Sequence, residues 1–195
     1  VYKRQYQYAS NSWTQLGDDI EGEATGDFFG NSLSLSSDGT IVAIGAIYND
    51  GTASSAGHVR VYQYANNSWS QLGSDIDGEA ADDNLGTSVS LSDDGTVLAA
   101  GAMYNDGSAS NAGHVRVYKY VGGSWTQLGS DIDGQATINA FSAWSLAISG
   151  DGTIVTIGSP SADDGNSDNN KGLVRTYKFP IYNSTEVTVT ATEVG

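Results

Sequence analysis

Residues 57–73 read GHVRVYQYANNSWSQLG, and residues 113–129 read GHVRVYKYVGGSWTQLG. Extended to 57–80 against 113–136, the two stretches agree at 18 of 24 positions, so the chain is a repeat with a period of 56. Trp13, Trp69 and Trp125 keep that interval, as do Gln15, Gln71 and Gln127, which open three Gln-Leu-Gly triplets. His58 and His114 keep it too. The third copy drifts by small insertions, with Gly158 answering Gly45 and Gly101, and Arg175 answering Arg60 and Arg116.

Each copy divides into four short strand candidates separated by turn signals. In the first copy they are 32–36, 41–47, 58–65 and 69–73. The first alternates Ser and Leu with period two, and the second, Ile41 to Ala46, is apolar on both faces and therefore central. Asp38-Gly39, Asp94-Gly95 and Asp151-Gly152 sit between them, and such pairs are expected to supply the positive φ angles of a tight hairpin turn. A longer loop leads to the third strand and an Asn-rich turn to the fourth. Four antiparallel strands recurring at this period predict an all-β fold, a partial β-propeller of four-stranded antiparallel blades.

Composition agrees. The 195 residues include 25 Gly and 2 Pro with 38% hydrophobic content, which suits many strands and turns. The absence of Cys removes disulfides, thiolate chemistry and Cys-ligated zinc. A net charge of -15 repels nucleic acid and anionic membranes and favours cations or basic partners, or serves solubility in a salty or extracellular setting. No apolar run is long enough to cross a bilayer, so no direct membrane insertion is expected of this segment.

Phe29-Gly30 and Leu85-Gly86 before first strands, with Gly45-Ala46 and Gly101-Ala102 closing second strands, resemble FG-GAP repeats, the blades of integrin-α-type propellers. The resemblance spans residues 6–179. It implies an extracellular or cell-surface location and a binding or adhesion role with a protein or glycan ligand. Phe141-Ser142 and Gly158-Ser159 depart from it. The family's calcium loop between first and second strands is replaced by SSDGT and SDDGT, so calcium is not carried over to that place.

The opening residues break the repeat. Tyr6 to Ala24 match Tyr62 to Ala80 at 15 of 19 positions, whereas residues 1–5 match 57–61 only at Arg4. Val-Tyr-Lys-Arg-Gln is also one reading frame of a transposon end used to build sequencing libraries. Residues 1–5 are therefore expected to be a non-native segment that adds little to packing, with a divergent N-terminus as the alternative. Residues 6–180 would hold the end of one blade, two complete blades and three strands of another, a fragment of a larger propeller. Residues 181–195 alternate like a strand and would be a divergent fourth strand or the start of another segment.

Residues present in every copy maintain a fold more often than they act on a ligand. Trp13, Trp69 and Trp125 are expected to pack under the outer strand, and Arg60, Arg116 and Arg175 to pair with carboxylates. His58 and His114 give way to Leu173 in the third copy, against a metal or acid–base role. No catalytic Ser with a partner His, no phosphate loop and no basic aromatic surface is visible, so the chain reads as a non-enzyme. A propeller hydrolase and a purely structural repeat segment are the other readings.

One pattern-breaking stretch, SADDGNSDNNKG, places Asp164, Asn166, Asp168 and Asn170 at alternate positions. Oxygen side chains so spaced on a curled loop suit calcium. Without it the stretch is a solvated Asx-rich turn. In a four-stranded blade, the second-to-third loop and the connection to the next blade emerge on one face. That scheme places 17 of the 23 acids there. Asp19, Asp75, Asp77, Glu79, Asp83, Asp131 and Asp133 are the candidate binding face, expected to meet a basic or cation-bridged partner.

Overall fold

The computed structural model describes residues 2–134, 143–162, 171–179 and 192–193. Its first strands are β1 (Tyr2–Lys3), β2 (Tyr6–Ala9), β3 (Ser12–Gln15) and β4 (Ile20–Glu21), with β2 paired to β3 and β1 to β4. The first full sheet holds β5 (Leu33–Leu35), β6 (Ile41–Ala46), β7 (His58–Ala65), β8 (Ser68–Gln71) and β9 (Ile76–Asp77). The second repeats it with β10 (Leu85–Leu91), β11 (Val97–Ala102), β12 (His114–Val121), β13 (Ser124–Gln127) and β14 (Ile132–Asp133). The third holds β15 (Ser145–Ile148), β16 (Ile154–Ser159), β17 (Leu173–Lys178) and β18 (Thr192–Glu193). In each of the three larger sheets the first four strands are antiparallel and follow chain order, the meander of a propeller blade.

Each full blade adds a detail to the four expected strands. The outer strand comes in two pieces, and β8 and β9 both pair with β7, as β13 and β14 both pair with β12. Between the pieces the chain turns at Gly73, whose φ of 80° is open to glycine, and Asp75 swings inward toward Arg60. β1 and β4 pair in the same register, Tyr2 opposite Glu21 as His58 is opposite Asp77. Main-chain pairing asks little of side-chain identity, so residues 2–5 follow the repeat's hydrogen bonding where their sequence does not.

Alternation in β6 explains how the sheets stack. Ile41 and Ala43 point to the second sheet, where they join Val89, Leu91, Leu98 and Ala100 in one core. Val42 and Ile44 point the other way and pack with Ile20 and Phe29. Val97 and Ala99 repeat the first role against Val155 and Ile157. The core thus lies between sheets rather than inside any one of them, and sheets follow each other in an open row.

Two repeated devices hold the row. Gly45, next to last in β6, lies against the next sheet's Gly86: a Cβ on Gly45 would collide with the Gly86 carbonyl, and one on Gly86 would stand 2.9 Å from the Gly45 Cα. These are the glycines of the two resembling dipeptides, and close backbone approach is what they permit. Trp69 donates its indole N–H to the Leu16 carbonyl at 2.9 Å, and Trp125 does the same to Leu72 at 2.8 Å. Each indole lies on the glycine that follows, Gly17 or Gly73. The Trp and the Gln-Leu-Gly triplet recur together because one sheet's Trp clamps the previous sheet's triplet. No helix of the described residues is long and apolar enough to cross a membrane.

Candidate functional site

The tight-turn end of the blades is built from three copies of one box. Asp38 Oδ1 accepts hydrogen bonds from the Ser36 hydroxyl, the Thr40 N–H and the Thr40 hydroxyl at 2.7, 2.9 and 2.8 Å. Asp94 and Asp151 repeat this with Ser92 and Thr96, and with Ser149 and Thr153. Only the glycine of each Asp-Gly pair has positive φ, which corrects the expected turn: the Asp caps the loop with its carboxylate and keeps an ordinary backbone. Hydrogen bonds from Thr40 and Ser36 hold the Asp38 carboxyl below the usual carboxylate range. These acids are structural.

At the opposite end, each connection brings four chemistries together. Arg60 grips Asp75 with two hydrogen bonds, Nε to Oδ1 at 3.0 Å and Nη2 to Oδ2 at 2.8 Å, and also touches Glu23 from the preceding connection. Gln71 donates to Asp75 at 2.6 Å, and His58 Nδ1 stands 3.8 Å from it. Arg116 repeats the arrangement with Asp131, Glu79, Gln127 and His114. The guanidinium therefore ties a blade's outer strand to the incoming connection, as the repeated arginines promised. Burial alone would raise the Asp75 carboxyl, but the bonds from Arg60 and Gln71 outweigh it and hold the group below its usual range. Burial lowers both imidazoles, so His58 and His114 are neutral at pH 7.

One ligand atom each from Glu23, His58 and Asp75 lies within 4.8 Å of the others, as do those of Glu79, His114 and Asp131. Sequence reasoning gave the histidines no such company, because Glu23 and Glu79 arrive from the neighbouring repeat. In each triad the resident cation is the arginine, whose guanidinium bridges both carboxylates.

The seven acids of the candidate face divide into three kinds. Asp19, Asp75 and Asp131 are the partners of Arg4, Arg60 and Arg116, and Glu79 is the second partner of Arg116. Asp83 is buried and accepts from Asn105 Nδ2 and the Ala80 N–H, both at 3.0 Å, so it fastens a loop and presents nothing to a ligand. Its counterpart Asp27 is held by Asn49 at 3.0 Å. Asp77 and Asp133 are exposed, and neither carboxylate has a hydrogen bond or ion pair among the described residues. Partial burial and then the nearby Asp75 raise the Asp77 carboxyl above its ordinary value. Glu21 stands at the same point of the preceding unit, also exposed.

An aromatic pair on this side breaks the repeat. Phe28 stands where the next copy has Asn84, shares its positive φ (55° against 56°), and is exposed edge-on to Tyr48 at 5.0 Å between ring centroids. Asn84 earns that conformation by donating to the Ile47 and Ser55 carbonyls, whereas Phe28 holds it without such bonds. Asp164, Asn166, Asp168 and Asn170, the expected calcium loop, lie outside the described residues.

Residues 21–62 match the family model described as FG-GAP repeat. A comparison with curated proteins finds no sequence match. Among solved structures, a putative 6-phosphogluconolactonase from Bacteroides uniformis superposes with a TM-score of 0.58 at 14% identity, over 99% of this chain and 48% of that one. A complex of KlAtg21 with the coiled-coil of AgAtg16 gives 0.48 at 13% identity over 83% of this chain and 50% of that one. The tricorn protease gives 0.49 at 13% identity over 83% and 14%. The chain spans about half the length of the first two, 48% and 50%. At 14% identity the first likeness speaks for the fold alone.

Proposed function

We propose that this chain is a non-enzymatic binding or adhesion module of an extracellular or cell-surface protein, whose connection face takes a basic or cation-bridged protein or glycan. The observation that carries the reading is the sorting of carboxylates at one end of the blades. The inner acids are matched by arginine, while Glu21, Asp77 and Asp133 repeat at one point of successive units, exposed and without a cation among the described residues. A row of such groups attracts cations and resists anions. Phe28 and Tyr48 add an exposed ring pair on the same side, of the kind that packs on sugar or on aliphatic stems. FG-GAP repeats occur mostly in extracellular or surface proteins, which supports the location. Calcium held by Asp164, Asn166, Asp168 and Asn170 belongs to the same proposal.

The test is capture of an oligolysine peptide by the chain carrying Glu21→Gln, Asp77→Asn and Asp133→Asn together. At roughly half a kcal/mol per exposed pair, binding should weaken about tenfold, and in the unaltered chain it should weaken as salt rises. Equal binding by the triple variant would remove the face. So would a loss that follows changes at Asp38 and Asp94 on the opposite end. For the calcium arm, millimolar calcium should raise the melting temperature, and Asp164→Ala with Asp168→Ala should abolish that rise.

A second reading, a purely structural repeat segment, draws on the arginine bridges. Arg60 and Arg116 spend four of the connection-face acids on holding blades to connections.

A further inference from the structure

A cavity of about 290 Å³ lies at the junction of the two full sheets, among their outer strands. Both sheets have all five strands in place, so the cavity belongs to a junction with both neighbours present. Its buried lining is Ile76 and Tyr118, and its remaining apolar wall is Trp125. That ring is fixed before any ligand arrives. Its indole N–H is bonded to Leu72, Gly73 lies against it, and Tyr120 stands 5.2 Å away between ring centroids. The rest of the lining is polar: Ser74 and Ser124 with Asp75 and Asp77.

The two carboxylates of the cavity differ in what they hold. Asp75 accepts from Arg60 with both oxygens and from Gln71 with one. The Asp77 carboxylate has no hydrogen bond or ion pair among the described residues, so it is the uncompensated charge of the lining. Aromatic walls beside an unpaired carboxylate favour a cation on an apolar stem, since the ring face and the carboxylate attract the same charge. Size narrows the choice. At about 290 Å³ the cavity falls just below the range of roughly 300–1,000 Å³ usual for small-molecule sites, and it suits one inserted side chain.

We propose that this cavity takes the side chain of a lysine from a bound partner, its four-carbon stem against Trp125 and Tyr118 and its ammonium on Asp77. The compact ammonium has three donors, and the Asp77 carboxylate and the Ser74 and Ser124 hydroxyls offer three acceptor groups. The inference rests on the reading of a basic partner given above and names the group of that partner which is recognised. It also separates the alternatives. A bridging metal ion has no use for the rings, and a neutral sugar leaves the charge of Asp77 unanswered.

The probe is pentalysine, titrated calorimetrically against the whole chain at low salt, with methyl glucoside as the competitor. Ser124→Tyr and Ser74→Tyr, both at exposed positions, fill the cavity without altering any charge. Each should weaken pentalysine binding at least about fivefold. Each chain should keep the parent's unfolding midpoint within a few degrees, which separates lost binding from lost folding. In the parent complex, nuclear Overhauser effects should join lysine ε-methylene protons to the Trp125 ring. Pentalysine that binds both substituted chains as tightly as the parent, with no such ring contact, would overturn the cavity and leave the row of carboxylates standing. Failure of the parent to bind pentalysine at all would overturn both. Methyl glucoside that displaces pentalysine from the Trp125 ring would give the cavity to a sugar and overturn the lysine assignment.

Discussion

Leu35 and Leu91 hold the same place in two successive sheets, and their surroundings differ as much as surroundings can. Leu91 is sealed beneath the preceding sheet; Leu35 looks into an open cleft. Trp13 and Trp125 make the same contrast on the outer strands. Trp125 lies on Gly73 with its indole bonded to Leu72, while Trp13 is 68% exposed beside the ring of Tyr8. The sequence of a repeat is nearly identical at such pairs, so the difference comes from neighbours alone. In a stacked repeat, stability resides at the junctions more than inside the unit.

The widest gap should open between Leu91→Asp and Leu35→Asp. A carboxylate at position 91 would be buried without a partner, at a cost of several kcal/mol, enough to unfold the second sheet. At position 35 water still solvates it, and the melting temperature should hardly move. Thermal unfolding of the two variants checks this. Equal losses would mean that the cleft is closed in solution.

A smaller gap is expected between Trp125→Ala and Trp13→Ala. Removing Trp125 deletes a packed ring and strands the Leu72 carbonyl, for a loss of about 3–5 kcal/mol in denaturant unfolding. Trp13→Ala should cost under about 1 kcal/mol, since surface substitutions away from packed features are usually small.

The smallest effect concerns pH and distinguishes the covered connections from the turns. Burial lowers His58 and His114 in the folded chain. As pH falls below their ordinary value near 6.5, the unfolded chain takes up protons that the folded chain refuses, so stability falls with pH. A second decline should begin below about pH 4. There Asp38, Asp75, Asp94 and Asp151, all held below their ordinary value, bind protons in the unfolded chain first. Replacing both histidines with Gln should flatten the upper decline and leave the lower one. A pH profile with the upper decline intact in that variant would relocate its origin.

Much of this was legible in the chain itself. The period, the strand order, the central position of Ile41 to Ala46 and the pairing of Arg60 and Arg116 with carboxylates all follow from residues that recur at one spacing. Sequence also located the carboxylates on connections. It could not grade them, because Asp83 and Asp77 look alike in one dimension. The loop that brings Asn105 over Asp83 buries one and bonds it, while the other stays exposed and its carboxylate has no hydrogen bond among the described residues.

What the residues determined alone is local and periodic: alternation selects strands, Ser-x-Asp-Gly-Thr selects its turn, and glycine marks each close approach. Those choices are made within a few residues and so repeat wherever the letters repeat. The tertiary structure decided what depends on who stands next to whom. It joined Glu23 to His58 and Asp75, seated Trp125 on the preceding triplet, divided the outer strand in two, and left Leu33 and Leu35 facing a cleft while Val89 and Leu91 were covered. Burial and ion pairing are properties of the space between sheets, and no single repeat contains that space.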